Sequence, residues 1–344
     1  MTPLESGPLK AGKLPAGLLD SLLHGMTLGP EVLLGGAVGV DAAVIDFTPG
    51  SAKYLVAKTD PITFATDRAG YYAVHVNAND IACMGGVPRW FLATALLPDG
   101  TEVGTVREIF EQIEDACVSI GVSLVGGHTE ITPAVNRPIV IGCMLGEVAA
   151  SGLLSPRNAR AGDALILTQG VAIEGTAVLA REAVGQLLAA GLTEAEIAAA
   201  ADLLDRPGIS VLSAAGALRG QEGLHTLHDP TEGGVAIAIR ELATATGLGL
   251  KVEVDDVTVL PETSTVCEAL GLDPLGLLAS GGLLVVVSAE GSDEALSRLD
   301  KEGIPATVIG WLVDGAGIFE DLSALPVFER DELARYLDAE NERF

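Results

Sequence analysis

The stretch Asn77-Ala-Asn-Asp-Ile-Ala-Cys-Met-Gly-Gly86 constrains this chain most. It closes an otherwise apolar helix that begins near Thr66 and stops at the Gly85-Gly86 pair, with Pro88 beyond. Asp80 therefore falls near the helix C-terminus, where the aligned peptide dipoles already place partial negative charge. Burying an unpaired carboxylate there is costlier still. Either a divalent cation compensates, or Asp80 caps a neighbouring loop or pairs with an arginine.

Strands and helices alternate around that helix. Residues 1–35 read as an arm carrying one amphipathic helix, Ala16–His24. From residue 36 the pattern is βαβ: a strand at Tyr54–Thr59, the helix Thr66–Met84, a strand at Trp90–Leu97, a helix at Val103–Ile120, then strands at Val122–Gly126 and Ile139–Leu145. The turn formers of Ser151-Gly-Leu-Leu-Ser-Pro-Arg-Asn158 mark a boundary, which places one domain at 36–150 and a second at 151–325. The second half opens with a strand at Ala164–Thr168. Helices follow at Glu174–Ala190, Glu194–Leu204, Ile209–Leu218 and Gly234–Thr246. Strands at Leu250–Val254, Leu283–Val287 and Ala306–Ile309 complete a mixed sheet. A closing segment, 326–344, carries a helix at Arg330–Glu340. Strands mixed with helices in both halves predict two α/β or α+β sandwiches.

Composition narrows the partners. With 49% hydrophobic residues, core is plentiful, and 4% aromatics with 42 glycines make that core aliphatic and the loops tight. A net charge of −27 excludes a nucleic-acid or anionic-membrane surface, where phosphates reward Lys and Arg. An anionic substrate would need a cation, helix N-termini or a few basic residues. Cys83, Cys117, Cys143 and Cys267 lack the short spacing of a zinc site. The first three lie in apolar segments and read as small core residues. The N-terminus is not patterned as a signal peptide, and Leu283–Val287 is too short to span a bilayer, so a cytoplasmic protein is expected.

Five motifs set acids beside Gly, Pro or small residues: Gly39-Val-Asp-Ala-Ala-Val-Ile-Asp46, Lys58-Thr-Asp-Pro-Ile-Thr-Phe64, Asn77–Gly86, Gly126-Gly-His-Thr-Glu-Ile-Thr132 and His228-Asp-Pro-Thr-Glu-Gly-Gly234. Asp60 ends a strand and Gly126–Glu130 follows one, and strand ends are where open α/β sheets gather ligands. Clusters of Asp, Glu, Thr and Asn oxygens suit Mg²⁺, which keeps several waters and bridges to phosphate. Each motif alone is also an ordinary turn. Gly7-Pro-Leu-Lys-Ala-Gly-Lys13 has the spacing of a phosphate-binding loop, but Leu14 stands where Ser or Thr is required and no strand precedes it. There is no Gly-x-Ser-x-Gly elbow for a serine hydrolase. His128 and His228, in turns beside acids, are candidates for proton transfer or for backbone hydrogen bonds.

In their order, these motifs resemble the superfamily of aminoimidazole ribonucleotide (AIR) synthetase, which includes selenophosphate synthetase, thiamine-monophosphate kinase and the hydrogenase maturation protein HypE. The resemblance runs from about Leu34 to Leu325. It is to HypE through Asp60-Pro-Ile-Thr-Phe64, Asp229–Gly234 and Cys267-Glu-Ala-Leu-Gly-Leu-Asp-Pro274. It implies a homodimer whose N-terminal sheets pair into a barrel, with ATP and Mg²⁺ in the cleft between domains. It implies Asp41, Asp80 and Asp229 as metal ligands, and Asp60 and Asn77 near the phosphates. Gly126, Gly127 and Thr129 correspond to a glycine turn approaching the nucleotide, and His128, Glu130 and His228 are catalytic candidates.

The sequence also departs from HypE. It ends Glu340-Asn-Glu-Arg-Phe344 without a cysteine, has Glu130 where HypE has a lysine, and reads Ala279-Ser-Gly-Gly282 where HypE has a catalytic glutamate. Selenophosphate synthetase needs a reactive Cys or selenocysteine near its N-terminus, and none lies before Cys83. The expectation is an ATP- and Mg²⁺-dependent enzyme that phosphorylates or phosphate-activates a small-molecule or amide-type acceptor. The alternative is a nucleotide-binding scaffold or maturation partner without its own turnover.

Overall fold

The computed structural model describes residues 13–24, 26–65, 67–315 and 325–341. Most of the loop-like Gly7–Lys13 segment, and the expected helix start at Thr66, lie outside them. The strands are β1 (Val32–Leu34), β2 (Ala43–Ile45), β3 (Lys53–Ile62), β4 (Val87–Leu97), β5 (Ser123–Ile131), β6 (Ile139–Ala149), β7 (Ala164–Thr168), β8 (Leu224–His228), β9 (Gly249–Val252), β10 (Leu284–Val287) and β11 (Ala306–Val313). The helices are α1 (Ala16–His24), α2 (Ala69–Cys83), α3 (Val103–Ser119), α4 (Ile173–Glu182), α5 (Val184–Ala189), α6 (Glu194–Asp202), α7 (Leu212–Leu218), α8 (Gly234–Thr246), α9 (Pro261–Leu270), α10 (Ser292–Lys301) and α11 (Glu332–Asn341).

Two sheets form, in the orders β1-β2-β3-β6-β4-β5 and β8-β10-β7-β11-β9. Among the described strands only β4 and β5 pair in parallel, because α3 carries the chain across between them. The second sheet is antiparallel at every described pairing, not mixed as the sequence pattern suggests. Its central strands are covered on both faces. Leu165, Leu167, Leu284 and Val286 enter one apolar cluster with Val178, Val235 and Ile239. Ala164, Ile166, Val285 and Val287 enter another with Ala215, Leu218, Ala295 and Leu299. A strand buried on both sides loses the polar/apolar alternation of a half-buried one, which is why these runs read as continuously apolar.

Helix α2 lies at the centre, against β3, β4 and β6 of the first sheet and also against α3, α7 and β8. Every α2 residue except Tyr71 is buried. Asn79 joins the two halves: its Nδ2 donates to the Ile209 carbonyl at 2.8 Å and its Oδ1 accepts from the Val211 N–H at 2.9 Å. No helix among the described residues is long and apolar enough to cross a membrane.

The segment Gly126–Glu130 is not a turn after a strand. It continues β5, with Gly126 opposite Leu92 and Gly127 opposite Ala93. A Cβ on Gly127 would lie 1.9 Å from the Ala93 carbonyl oxygen, so glycine is required for the two backbones to approach there. Gly127→Ala is expected to destabilise the protein by about 1–3 kcal/mol through this clash and the unfavourable φ of 150°. An unchanged midpoint in urea denaturation would show that β5 is not held against β4 at this point.

Candidate functional site

Both sheets and both halves of the chain send acids to one cavity of about 560 Å³. Asp41 precedes β2, and Lys58 and Asp60 lie two apart on β3, so they share a face. Asp80 comes from the last turn of α2, His228 from the end of β8, Asp229 from the residue after it, and Glu241 from α8. Lys13, Arg240 and Arg330 also line the cavity.

Asp80 answers the question posed by its place in the helix. Its Oδ1 is 3.0 Å from Lys58 Nζ, which also lies 3.1 Å from Asp60 Oδ2. The partner is a lysine on the neighbouring strand, not an arginine or a loop. Asp80 Oδ2, however, is buried and has no hydrogen-bond partner, and the same holds for Asp229 Oδ2. Asn77 does not face the cavity. It is fully buried, accepts from the Asp60 N–H at 2.8 Å, and donates to the carbonyls of Asp60 and Ala73. It therefore fixes the backbone that presents Asp60.

His228 is hydrogen-bonded at one ring nitrogen, and the other is buried near an acid without a hydrogen bond. Nδ1 lies 2.6 Å from Asp41 Oδ1, and Nε2 lies 3.4 Å from Glu241 Oε2. Burial works against its charged form, but Asp41 and Glu241 outweigh it and hold the imidazole pKa well above the usual value. Glu241 shows the complement: burial alone would raise its pKa, yet His228 and Lys13 bring it down to about 2. Both carboxylates favour the charged imidazolium of His228, which lines the cavity. Lys58 is also held protonated: burial opposes its charge, and Asp80 and Asp60 prevail. Burial pushes the Asp80 carboxyl well up. Asp229 rises to about 7, through burial first and then repulsion from Asp41.

Gly126, Gly127, His128, Thr129 and Glu130 do not line this cavity. They lie on β5, the outermost strand of the first sheet, and are exposed. His128 and Glu130 contact each other at 3.6 Å but are not grouped with His228. Sequence reasoning missed Lys58, Glu241 and Cys83. Lys58 was legible as the residue two before Asp60 on a strand, and Cys83 as the residue three after Asp80 on a helix. Lys13 lies 3.4 Å from Glu241 Oε1 and 3.2 Å from Thr231 Oγ1.

Two buried carboxylate oxygens without partners, among oxygen donors from both halves, fit a hard divalent cation such as Mg²⁺. The fold and site together define a two-sheet α/β protein with a carboxylate-lined cleft. Models of the AIR synthase related protein match it, the N-terminal domain over residues 39–148 and the C-terminal domain over residues 160–322. The chain belongs to this family. It is 31% identical to the carbamoyl dehydratase HypE of Rhodobacter capsulatus over 278 residues, covering 80% of this chain and 77% of that protein. A solved structure of HypE in complex with ATP superposes with a TM-score of 0.64 at 26% identity, covering 80% of each chain. A HypE–HypF complex gives 0.65 at 22% identity, covering 81% of this chain and 88% of that one, and shares the fold.

A carboxyl with a raised folded pKa holds its proton more tightly when folded than when unfolded. Its contribution is complete below the unfolded value of about 4 and is lost as pH rises through the folded one. For Asp229 that loss runs from about pH 4 to about pH 7. Asp229→Asn is therefore expected to be more stable than the wild type at pH 8, by more than about 1 kcal/mol, with the gap shrinking toward pH 5. Denaturant midpoints across that range measure it, and a gap independent of pH would contradict the assignment.

Proposed function

We propose that this protein is an ATP- and Mg²⁺-dependent enzyme that transfers the terminal phosphoryl group of ATP to an oxygen of a small, amide-type acceptor. The observation that carries this reading is the convergence of Asp41, Asp60, Asp80 and Asp229 on one cavity, with an oxygen of Asp80 and one of Asp229 buried and unpartnered. Asp41, Asp80 and Asp229 would hold Mg²⁺, which neutralises charge on a transferring phosphoryl group. Lys58 and Lys13 place positive charge on the cavity wall, and Asn77 keeps Asp60 in register with Lys58. The relative from R. capsulatus is named for removing water from a carbamoyl group. Such a loss requires the amide oxygen to leave, and phosphorylation makes that oxygen a good leaving group. We read residues 36–150 and 151–325 as the two domains that enclose the nucleotide.

Binding to the folded state alone stabilises a protein by about 2.7 kcal/mol at one hundred times Kd. Mg²⁺ with a non-hydrolysable ATP analogue should raise the melting temperature accordingly, and Asp80→Asn should remove most of the rise. No rise at millimolar nucleotide would sink the reading.

We also infer that the protein is a homodimer joined through the β5 edge. An uncovered edge strand is a template for pairing with another chain, and β5 carries the half-exposed Val125 and Ile131. Gly126, Gly127 and Thr129 are then positioned at a subunit junction, where contact with a nucleotide depends on the second copy. Ile131→Lys is expected to shift sedimentation equilibrium toward monomer. A wild-type protein that is monomeric at micromolar concentration would rule the arrangement out.

A further inference from the structure

Behind Asp229, which lines the cavity, lies a buried sulfur that phosphoryl transfer does not use. Cys83 lies one helical turn beyond Asp80 on α2, and its thiol is within 3.6 Å of Asp229 Oδ1. Donor atoms of Cys83, Asp41 and Asp229 all lie within 4.8 Å of one another. Cys83 is 1% exposed, Asp229 2% and Asp41 8%, and Asp229 has a second oxygen, Oδ2, with no partner.

We propose that Cys83, Asp41 and Asp229 form a binding site for a thiophilic divalent transition-metal ion of the Zn²⁺ or Co²⁺ class. Sulfur is a poor ligand for Mg²⁺ and a good one for these ions. Zinc sites with three protein donors take an exogenous ligand as the fourth, and Asp41 and Asp229 line the cavity from which one would come. His228, 2.6 Å from Asp41 Oδ1, orients that carboxylate from behind, as outer-shell partners of metal ligands do. The ion takes the place of the thiol proton, which leaves to solvent. The site shares Asp41 and Asp229 with the Mg²⁺ reading above but rests on the thiol, so a thiophilic ion and Mg²⁺ compete for those two carboxylates.

The test is titration of the metal-free, full-length protein with Co²⁺ in the absence of nucleotide. A saturable near-ultraviolet thiolate-to-Co²⁺ charge-transfer band is expected, displaced by Zn²⁺ and absent in Cys83→Ala. Competition titrations should show Zn²⁺ binding weakened roughly tenfold or more in that variant. Cys83→Ser, which keeps the side-chain volume, gives the same loss of the band, and circular dichroism verifies that both variants are folded. No band in the wild type overturns the proposal. So does a band that survives in Cys83→Ala, because it would arise from Cys117, Cys143 or Cys267. Binding of the ATP analogue with Mg²⁺ is measured on the same wild-type protein. Nucleotide binding without the band overturns the thiol site alone, and the band without nucleotide binding overturns the nucleotide reading alone.

Discussion

A helix buried on nearly every side cannot leave its polar groups to water, and that constraint organises this protein. Helix α2 carries Asn77, Asn79 and Asp80 within four positions, all buried. Each must find a partner in the protein or be left unsatisfied at a cost of about 1–3 kcal/mol. Asn77 is satisfied by the backbone of Asp60, and Asn79 by Ile209 and Val211 across the junction of the two halves. These two bond sets fix β3 and the second half relative to α2. Asp80 is only half satisfied, by Lys58. What remains of its bonding capacity is directed into the cavity, so the helix that holds the fold together also sets the chemistry.

The electrostatics follow from the same geometry. The carboxylates around this cavity repel one another in a region that burial makes poorly screened. Lys58 and His228 offset part of this, each set between two acids: Lys58 between Asp60 and Asp80, His228 between Asp41 and Glu241. Asp229 has neither as a direct partner, and its carboxyl pKa is displaced to about 7. A site that is strained without a ligand and relieved by a cation stores binding energy in its own repulsion. Perturbed carboxyls of this kind concentrate at functional sites because the arrangement that binds is not the one that stabilises the empty protein.

Part of this was legible in the sequence. The position of Asp80 in an apolar helix, the order of the acidic motifs and most element boundaries follow from local pattern, because periodicity and glycine stops are local. The runs Ala164–Thr168 and Gly234–Thr246 are read at the boundaries found. Helix Glu174–Ala190 instead divides at Ala183 into α4 and α5. The short strands β1, β2 and β8 escaped notice because three to five residues carry little periodicity. The extension of β5 through Gly126-Gly127 was hidden for a different reason. Paired glycines signal a turn, and here they serve the approach of β5 to Ala93, a demand set by a strand distant in sequence. The same limit applies at the site. Glu241 reads as one polar residue on an amphipathic helix, and only the fold brings it to His228. Cys83 reads as core, and by burial it is core. Its neighbours Asp41 and Asp229 lie 42 and 146 positions away in the chain.

That separation gives a bound cation a second consequence. Asp41 belongs to the half that carries the first sheet, and Asp229 follows β8 of the second sheet. An ion held by both would bridge the halves directly, alongside Asn79, the His228–Asp41 contact and the apolar surface of α2. Because the unfolded chain does not preform such a site, binding adds to the stability of the native state by mass action. The bridge also acts on the relative position of the halves. Any change that moves β8 away from β2 separates Asp41 from Asp229 and weakens the site. An ion on these two carboxylates would therefore couple its own affinity to the distance between β2 and β8.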